Sequence, residues 1–278
     1  MSANPEQVAV AAPDHRRRGL QRLPIMETLQ LAILSGFVIW LGIRGADAMG
    51  YRWQWYRIPQ YIYKVIDGEL IWGPLMHGLF VTLELTAWSL IITVLIGFVA
   101  ALLRLSNSFV GRGLARVYLE LIRNTPLLVQ LFLFFYILAP IIGVNRFWTG
   151  VLALAFFEGA HAMEIFRAGI LSVARGQWEA AHSLGLKTVD TYRYIVVPQA
   201  LRLVLPPLTS LIINLIKHSA IVSAIAIADL TTEGRNTIAH TFLSFEIWFT
   251  VAGMYLVLTV SLSVAVGFLE KRLRAGDR

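Results

Sequence analysis

The sequence contains no cysteine, so neither a disulfide framework nor a thiolate site is available to it. Charge is scarce as well. Only 15% of the 278 residues are Asp, Glu, Lys or Arg, against about 25% in ordinary soluble domains. There is no G-x-x-x-x-G-K-[ST] phosphate loop: in Gly185-Leu186-Lys187 a leucine separates the glycine from the lysine. H-E-x-x-H and G-x-S-x-G are missing too, and the six histidines lack metal-ligand spacing. Catalysis, a metal site and a cofactor bound by this chain are therefore not expected. What is present is apolar: 57% of residues are hydrophobic. That content excludes a disordered chain and leaves too much apolar surface for a single soluble globule.

The pattern is that of an all-α integral membrane protein. A spanning helix needs about 20 mainly apolar residues. Six stretches qualify, at roughly 27–43, 73–103, 118–143, 147–171, 203–228 and 246–269. The first is short. The second exceeds one bilayer crossing and should tilt or project into water. Only Val144, Asn145 and Arg146 separate the third from the fourth, which predicts a tight helical hairpin. The net charge of +7 then has a topological reading. With the N-terminus inside, seventeen Lys and Arg fall on the inner side, among them Arg16, Arg17, Arg18 and Arg22, against six outside, with Lys217 left within a span. This sidedness predicts both termini in the cytoplasm, between tails at 1–26 and 271–278, and needs no nucleic acid. Two readings fit the N-terminal apolar run: an uncleaved anchor, or a signal peptide cut near Ala46-Asp47-Ala48. The long polar tail before it favours the anchor. The outer segment 44–72 is rich in Tyr and Trp, as an interfacial belt would be, or as a docking surface for an external partner.

The inner loop at 176–198 is too long and too patterned for a simple connector. Glu179, Ala180 and Ala181 are good helix formers. Gly185 should end or kink that helix. Asp190 is an expected N-cap, Tyr192, Ile195 and Val196 give an apolar face, and Pro198 is expected to close the element. The spacing predicts a short helix, a glycine turn and a second amphipathic helix on the membrane surface.

This loop resembles the EAA motif of permease subunits of ATP-binding-cassette importers: Glu179-Ala180-Ala181, Gly185, Ile195 and Pro198 in order, with Val197 where leucine is usual. The flanks resemble the polar amino acid uptake branch in particular, through "LIRNTPLLVQLFLFFY", "EIFRAGILSVARGQWEAAHSLGL" and "NLIKHSAIVSAIAIADLT". The similarity covers about 73–270. The chain departs from the branch at His218-Ser219-Ala220, where Asp-Thr-Ser is common, and at His161, where tyrosine is common. The helix before the core is an addition seen in some members. The resemblance implies a type I importer transmembrane domain, with a five-helix core plus an extra N-terminal helix, in a bacterial inner membrane. It implies a second permease chain, same or homologous, two ATP-binding subunits that hold ATP and Mg, a periplasmic solute-binding protein and an amino acid substrate. It further implies that Glu179 to Pro198 docks on the ATPase.

Ionisable residues inside spans cost about 2.5–3.5 kcal/mol each on insertion scales and so usually face a cavity or a partner. Glu84 lies one helical face with His77 and either lines a substrate path or makes a local or subunit contact. Thr82, Thr86, Ser89 and Thr93 form a separate helix-packing stripe. Glu158 with His161 is a cavity candidate, while Glu164 and Arg167 should pair locally. Ser210, Asn214, Lys217 and His218 form one polar stripe, facing the pore or a subunit interface. Two other functions fit the same residues: an ion-coupled carrier using Glu84, Glu158 or Lys217, and a membrane scaffold whose aromatic outer loop binds a partner.

Overall fold

The computed structural model describes residues 25–48 and 50–275. The predicted tail arginines up to Arg22, and the last three residues, lie outside them. Two units are distinguished, 1–53 and 54–278. In the first, α1 (Ile25–Ala48) is a single apolar helix, with Phe37 and Trp40 stacked at 6.0 Å and the Arg44 guanidinium 5.5 Å over Trp40.

The second unit is helical apart from one hairpin. A single 3₁₀ turn, Trp55–Arg57, leads to α2 (Pro59–Ile62). Strands β1 (Tyr63–Ile66) and β2 (Glu69–Trp72) follow, paired antiparallel with Tyr63 opposite Trp72. Asp67 and Gly68, both at positive φ, make the two-residue turn that suits a right-twisted hairpin. Sequence patterning did not foresee these strands, because apolar residues occupy both faces. Next come α3 (Pro74–Leu105) and α4 (Phe109–Arg123), then α5 (Leu127–Leu133) and α6 (Ala139–Ile142), joined by a π turn. α7 (Arg146–Leu171) follows, then α8 (Arg175–Ser183) and α9 (Thr188–Thr191). α10 (Val197–Ser219), α11 (Leu230–Thr241) and α12 (Ser244–Ala275) complete the chain. Among the described residues five helices are long and apolar enough to cross a membrane, or six if α4 to α6 count as one broken span.

That broken span corrects the single spanning stretch expected at 118–143. α4 and the 127–142 segment are bent by 111°. The break falls on Asn124-Thr125-Pro126, since proline holds the preceding residue out of the α region. In a membrane the freed backbone groups need partners. Buried Gln130 provides them: its Nε2 donates to the carbonyls of Ile122 (3.0 Å) and Thr125 (3.1 Å). Asn124 donates back to the Glu120 carbonyl at 2.7 Å.

The centre of the bundle is the α3–α7 contact. Lipid is as apolar as leucine, so helices associate in it through close packing and polar bridges. A Cβ at Gly97 would stand 2.5 Å from the Ala162 Cβ, so the two backbones meet at van der Waals distance. Ala100, Ala101, Ala160 and Ala162 bury beside it. The expected polar stripe is buried here: the Ser89 hydroxyl donates to the Val151 carbonyl at 3.3 Å, and Thr82 Oγ1 accepts from the Leu230 N–H at 3.0 Å. The latter ties α11 to α3. Asp229 caps α11 by accepting from the N–H groups of Thr231 and Thr232; burial pushes its carboxyl above the usual range, against the pull of those hydrogen bonds.

At the hairpin end of α3, Ile58, Leu75, Leu230, Leu243 and Ile247 form a separate apolar cluster. Fully buried Glu246, in the first turn of α12, accepts from the Gln54 N–H at 2.6 Å. At the other end of α3, Ile170, Val173, Val196 and Ala200 pack with Trp178 and Tyr192 under the 172–196 loop. The hairpin and that loop therefore occupy opposite ends of the bundle.

Gly97→Leu should force α3 and α7 apart and abolish a monodisperse species in detergent, while Gly113→Ala, with open space around it, should leave the elution profile unchanged. Size-exclusion chromatography of the two variants checks this.

Candidate functional site

Two features bear on function. The first is the 172–196 loop. α8 ends in a Schellman motif: the Gly185 N–H bonds the His182 carbonyl at 2.9 Å, and the Leu186 N–H bonds the Ala181 carbonyl at 3.1 Å. Gly185 adopts φ +71°, the left-handed conformation this cap requires. Ala181 is fully buried, whereas Glu179, Ala180 and Gly185 face outward, and nothing lies within 4 Å of a Cβ on Gly185. Glu179 pairs along the helix with Arg175 at 3.0 Å. The exposed surface also carries Leu184 and Val189, at 77% and 75% accessibility.

Two expectations about this loop are corrected. Asp190 is not an N-cap: Lys187 holds that position without a side-chain bond, and Asp190 sits in the first turn, where its charge still suits the helix dipole. Pro198 does not close the second helix but stands in the first turn of α10, directly after helical backbone. A π turn from Tyr192 to Val196 joins α9 to α10. Ile195 is half-buried beside it.

The second feature is a cavity of about 420 Å³ between α4, α7 and α10. Its polar lining includes Arg123, Glu158, His161, Glu164, Asn214 and His218. α7 contributes three of these through its i, i+3 spacing. α10 contributes Asn214 and His218 one turn apart, on a helix carrying Pro206 and Pro207, whose rings remove two backbone donors beside the cavity.

Glu158 is 3% exposed, and His218 Nδ1 donates to its Oε1 at 2.6 Å. His161 Nδ1 bonds the Phe157 carbonyl at 3.2 Å and lies 4.0 Å from Glu158 Oε2. The Phe157 ring touches both imidazoles. Both Nδ1 atoms face acceptors and act as donors, leaving each Nε2 as the other polar edge. Glu164 is held by Arg167 through two bonds, at 3.0 and 3.2 Å, the local pair expected.

The structure thus brings Glu158, His161, Asn214 and His218 together and leaves Glu84 and Lys217 elsewhere. Glu84 is exposed on α3, and Lys217 is exposed on α10 outside this lining. Arg123 entered the sequence reasoning only as one of the seventeen inner-side charges and Glu164 only as a salt-bridge partner, so both were missed as cavity residues. The signal for Arg123 was its place just before Asn-Thr-Pro, a helix stop inside an apolar run. The residues where the chain departs from the related branch, His161 and His218, flank one carboxylate.

A multi-pass helical bundle with a polar cavity at span depth and an exposed helix–turn–helix at one end has the architecture of a transport subunit. Residues 93–275 match the family described as "Binding-protein-dependent transport system inner membrane component". The chain belongs to that family. It is 37% identical over 200 residues to the probable glutamine ABC transporter permease protein GlnM of Bacillus subtilis, covering 71% of this chain and 92% of that protein. It is 34% identical to the glutamine transport system permease protein GlnP of Escherichia coli K12, covering 75% and 98%. Among solved structures it resembles an amino acid ABC transporter crystallised with histidines, at 40% identity and a TM-score of 0.66, covering 72% and 94%. The MetNI methionine ABC transporter, at 19% identity and a TM-score of 0.64, shares the fold.

His218→Ala should leave the buried Glu158 carboxylate without its donor and lower stability by about 1–3 kcal/mol. His161→Ala should change it little, since that ring bonds only its own helix. Thermal unfolding of both variants in detergent checks the contrast.

Proposed function

We propose that this chain is the permease subunit of an importer for polar amino acids, powered by separate ATP-binding subunits. The observation that carries the reading is its similarity over nearly the full length of permeases named for glutamine, cystine and glutamate/aspartate transport. On this reading two permease chains, same or homologous, enclose a pore about a two-fold axis. The hairpin end faces outward, where a solute-binding protein delivers substrate. The loop end faces the cytoplasm of a bacterial inner membrane, and both chain termini lie on that side.

Glu179, Ala180 and Gly185 form the tip that enters a cleft on the ATPase, with buried Ala181 packing the tip onto the bundle and Ile195 and Pro198 anchoring it to α10. ATP and Mg sit on that partner, which supplies hydrolysis. ATP binding draws the two loops together and opens the pore outward; product release resets it. This is alternating access driven by differential affinity for two states. The cavity at Glu158 offers a substrate both signs of charge: Arg123 for an α-carboxylate, the carboxylates for an α-ammonium, and His161, Asn214 and His218 for a polar side chain. Glu84 and Lys217 lie along the path rather than in this pocket.

Reconstitution with the ATPase and the binding protein should give ATP-driven uptake of at least one polar amino acid. Uptake that persists without the ATPase would overturn the reading. Gly185→Val puts a β-branched residue at positive φ, at a cost of about 1–2 kcal/mol. It should insert normally yet lower uptake about tenfold or more through lost ATPase coupling, and co-purification of the ATPase with this variant checks where the loss arises.

A further inference from the structure

A guest molecule is held by polar groups that the protein has not already spent on itself. In the cavity of about 420 Å³ the carboxylates are spent. Glu164 is held by Arg167 through two bonds, at 3.0 and 3.2 Å, and Glu158 by His218 at 2.6 Å. Arg123 is exposed in the lining and makes no ion pair among the described residues. α10 adds Ser210 and Asn214, one turn apart, both exposed and neither hydrogen-bonded by its side chain among the described residues. The unspent groups of the wall are thus one cation and two neutral side chains. Beside them stands the His161 ring, whose Nδ1 already faces the Phe157 carbonyl.

We infer that this cavity selects amino acids whose side chain is uncharged and carries both a hydrogen-bond donor and an acceptor, a carboxamide above all, and that Asn214 sets the choice. The inference rests on the functional reading above and narrows its substrate class.

Charge arithmetic carries the first half. With the imidazoles uncharged, Arg123 and Arg167, the partner of Glu164, balance Glu158 and Glu164. The head group of an amino acid keeps that balance. Its carboxylate meets Arg123. Its ammonium meets the acceptor sites left on Glu158 and Glu164, since a carboxylate has about four and His218 and Arg167 occupy only part of them. A side-chain carboxylate would then need a second free cation, and the described lining holds none. Lys217, next to His218 in the chain, lies outside it. A side-chain ammonium or guanidinium adds a positive charge that nothing in the wall balances. A charge left unpaired away from bulk water is costly, whereas a neutral polar group asks only for hydrogen bonds.

Asn214 supplies those bonds in matched form. A carboxamide presents an N–H donor and a carbonyl acceptor side by side. Two carboxamides facing each other exchange two hydrogen bonds, so Asn214 can pair with a guest amide at both atoms. A guest carboxylate brings acceptors only and an ammonium donors only, and each leaves half of the Asn214 amide unmatched. Mismatch of this kind, at a site built for hydrogen bonds, is what gives strong discrimination.

The test reads the cavity without the external binding protein, which would impose its own selectivity. The purified permease–ATPase complex in nanodiscs is titrated with radiolabelled L-glutamine, with L-glutamate and L-lysine as competitors. Glutamine and glutamate share a shape and differ in charge. Glutamine should bind about tenfold or more tightly than either competitor. Asn214→Asp keeps the size of the side chain and removes its donor, so it should weaken glutamine about tenfold or more and tighten lysine. Glutamate or lysine binding as tightly as glutamine in the wild type overturns the inference. So does the absence of saturable glutamine binding, or an unchanged ranking in Asn214→Asp. The wild-type comparison decides by itself where that variant fails to assemble. ATP-driven uptake with no preference for amides sinks this selectivity alone. No ATP-driven uptake of any amino acid sinks the functional reading together with it.

Discussion

The close approach of α3 and α7 is the constraint on which the rest of the bundle depends. No hydrophobic gain drives two apolar helices together inside lipid, so backbone proximity and dispersion must do it. Gly97 against Ala162 sets that proximity, and the alanines around them extend it. Once these helices are fixed in register, Ser89 reaches the Val151 carbonyl and Thr82 receives the Leu230 N–H. The position of α11, and through it the hairpin end, follows from the same contact. So does the side of α7 that carries Glu158, turned toward α10 rather than toward α3.

The cavity is bordered by a span that breaks and by a helix that carries two prolines. α4 stops at Arg123 instead of continuing, and Gln130 satisfies the carbonyls that the stop releases. α10 carries two adjacent prolines beside the same space. Irregular backbone at membrane depth survives where protein or a water-filled cavity surrounds it, and here it borders the cavity of about 420 Å³. Polar groups that would be costly in lipid are gathered around this space.

Much of the architecture was legible in the sequence because a span must be about 20 apolar residues long, whatever it packs against. The turn at Gly185 was legible for a local reason: few residues other than glycine adopt the left-handed conformation at a helix end. The break within 118–143 was harder, since Pro126 reads equally well as a kink, and its stabilising partner Gln130 looks like an ordinary polar residue in an apolar run. The Glu158–His218 bond could not be read at all. It joins residues sixty positions apart, and helical periodicity relates only neighbours on one helix. Pro198 was misplaced because proline marks the start of one helix as readily as the end of another. The hairpin escaped notice because Val65, Ile66, Leu70 and Ile71 give it no alternation.

The Glu158–His218 bond has a mechanical side. α7 leads into the helix–turn–helix loop and α10 leads out of it, so these two helices are the legs on which the loop stands. The bond ties the legs at span depth, and the Val204 side chain filling the space beside Gly169 ties them again nearer the loop. Legs pinned at two heights resist shearing past each other. A push on the loop tip is then carried upward as rotation of a stiff frame, with the cavity enclosed between its struts.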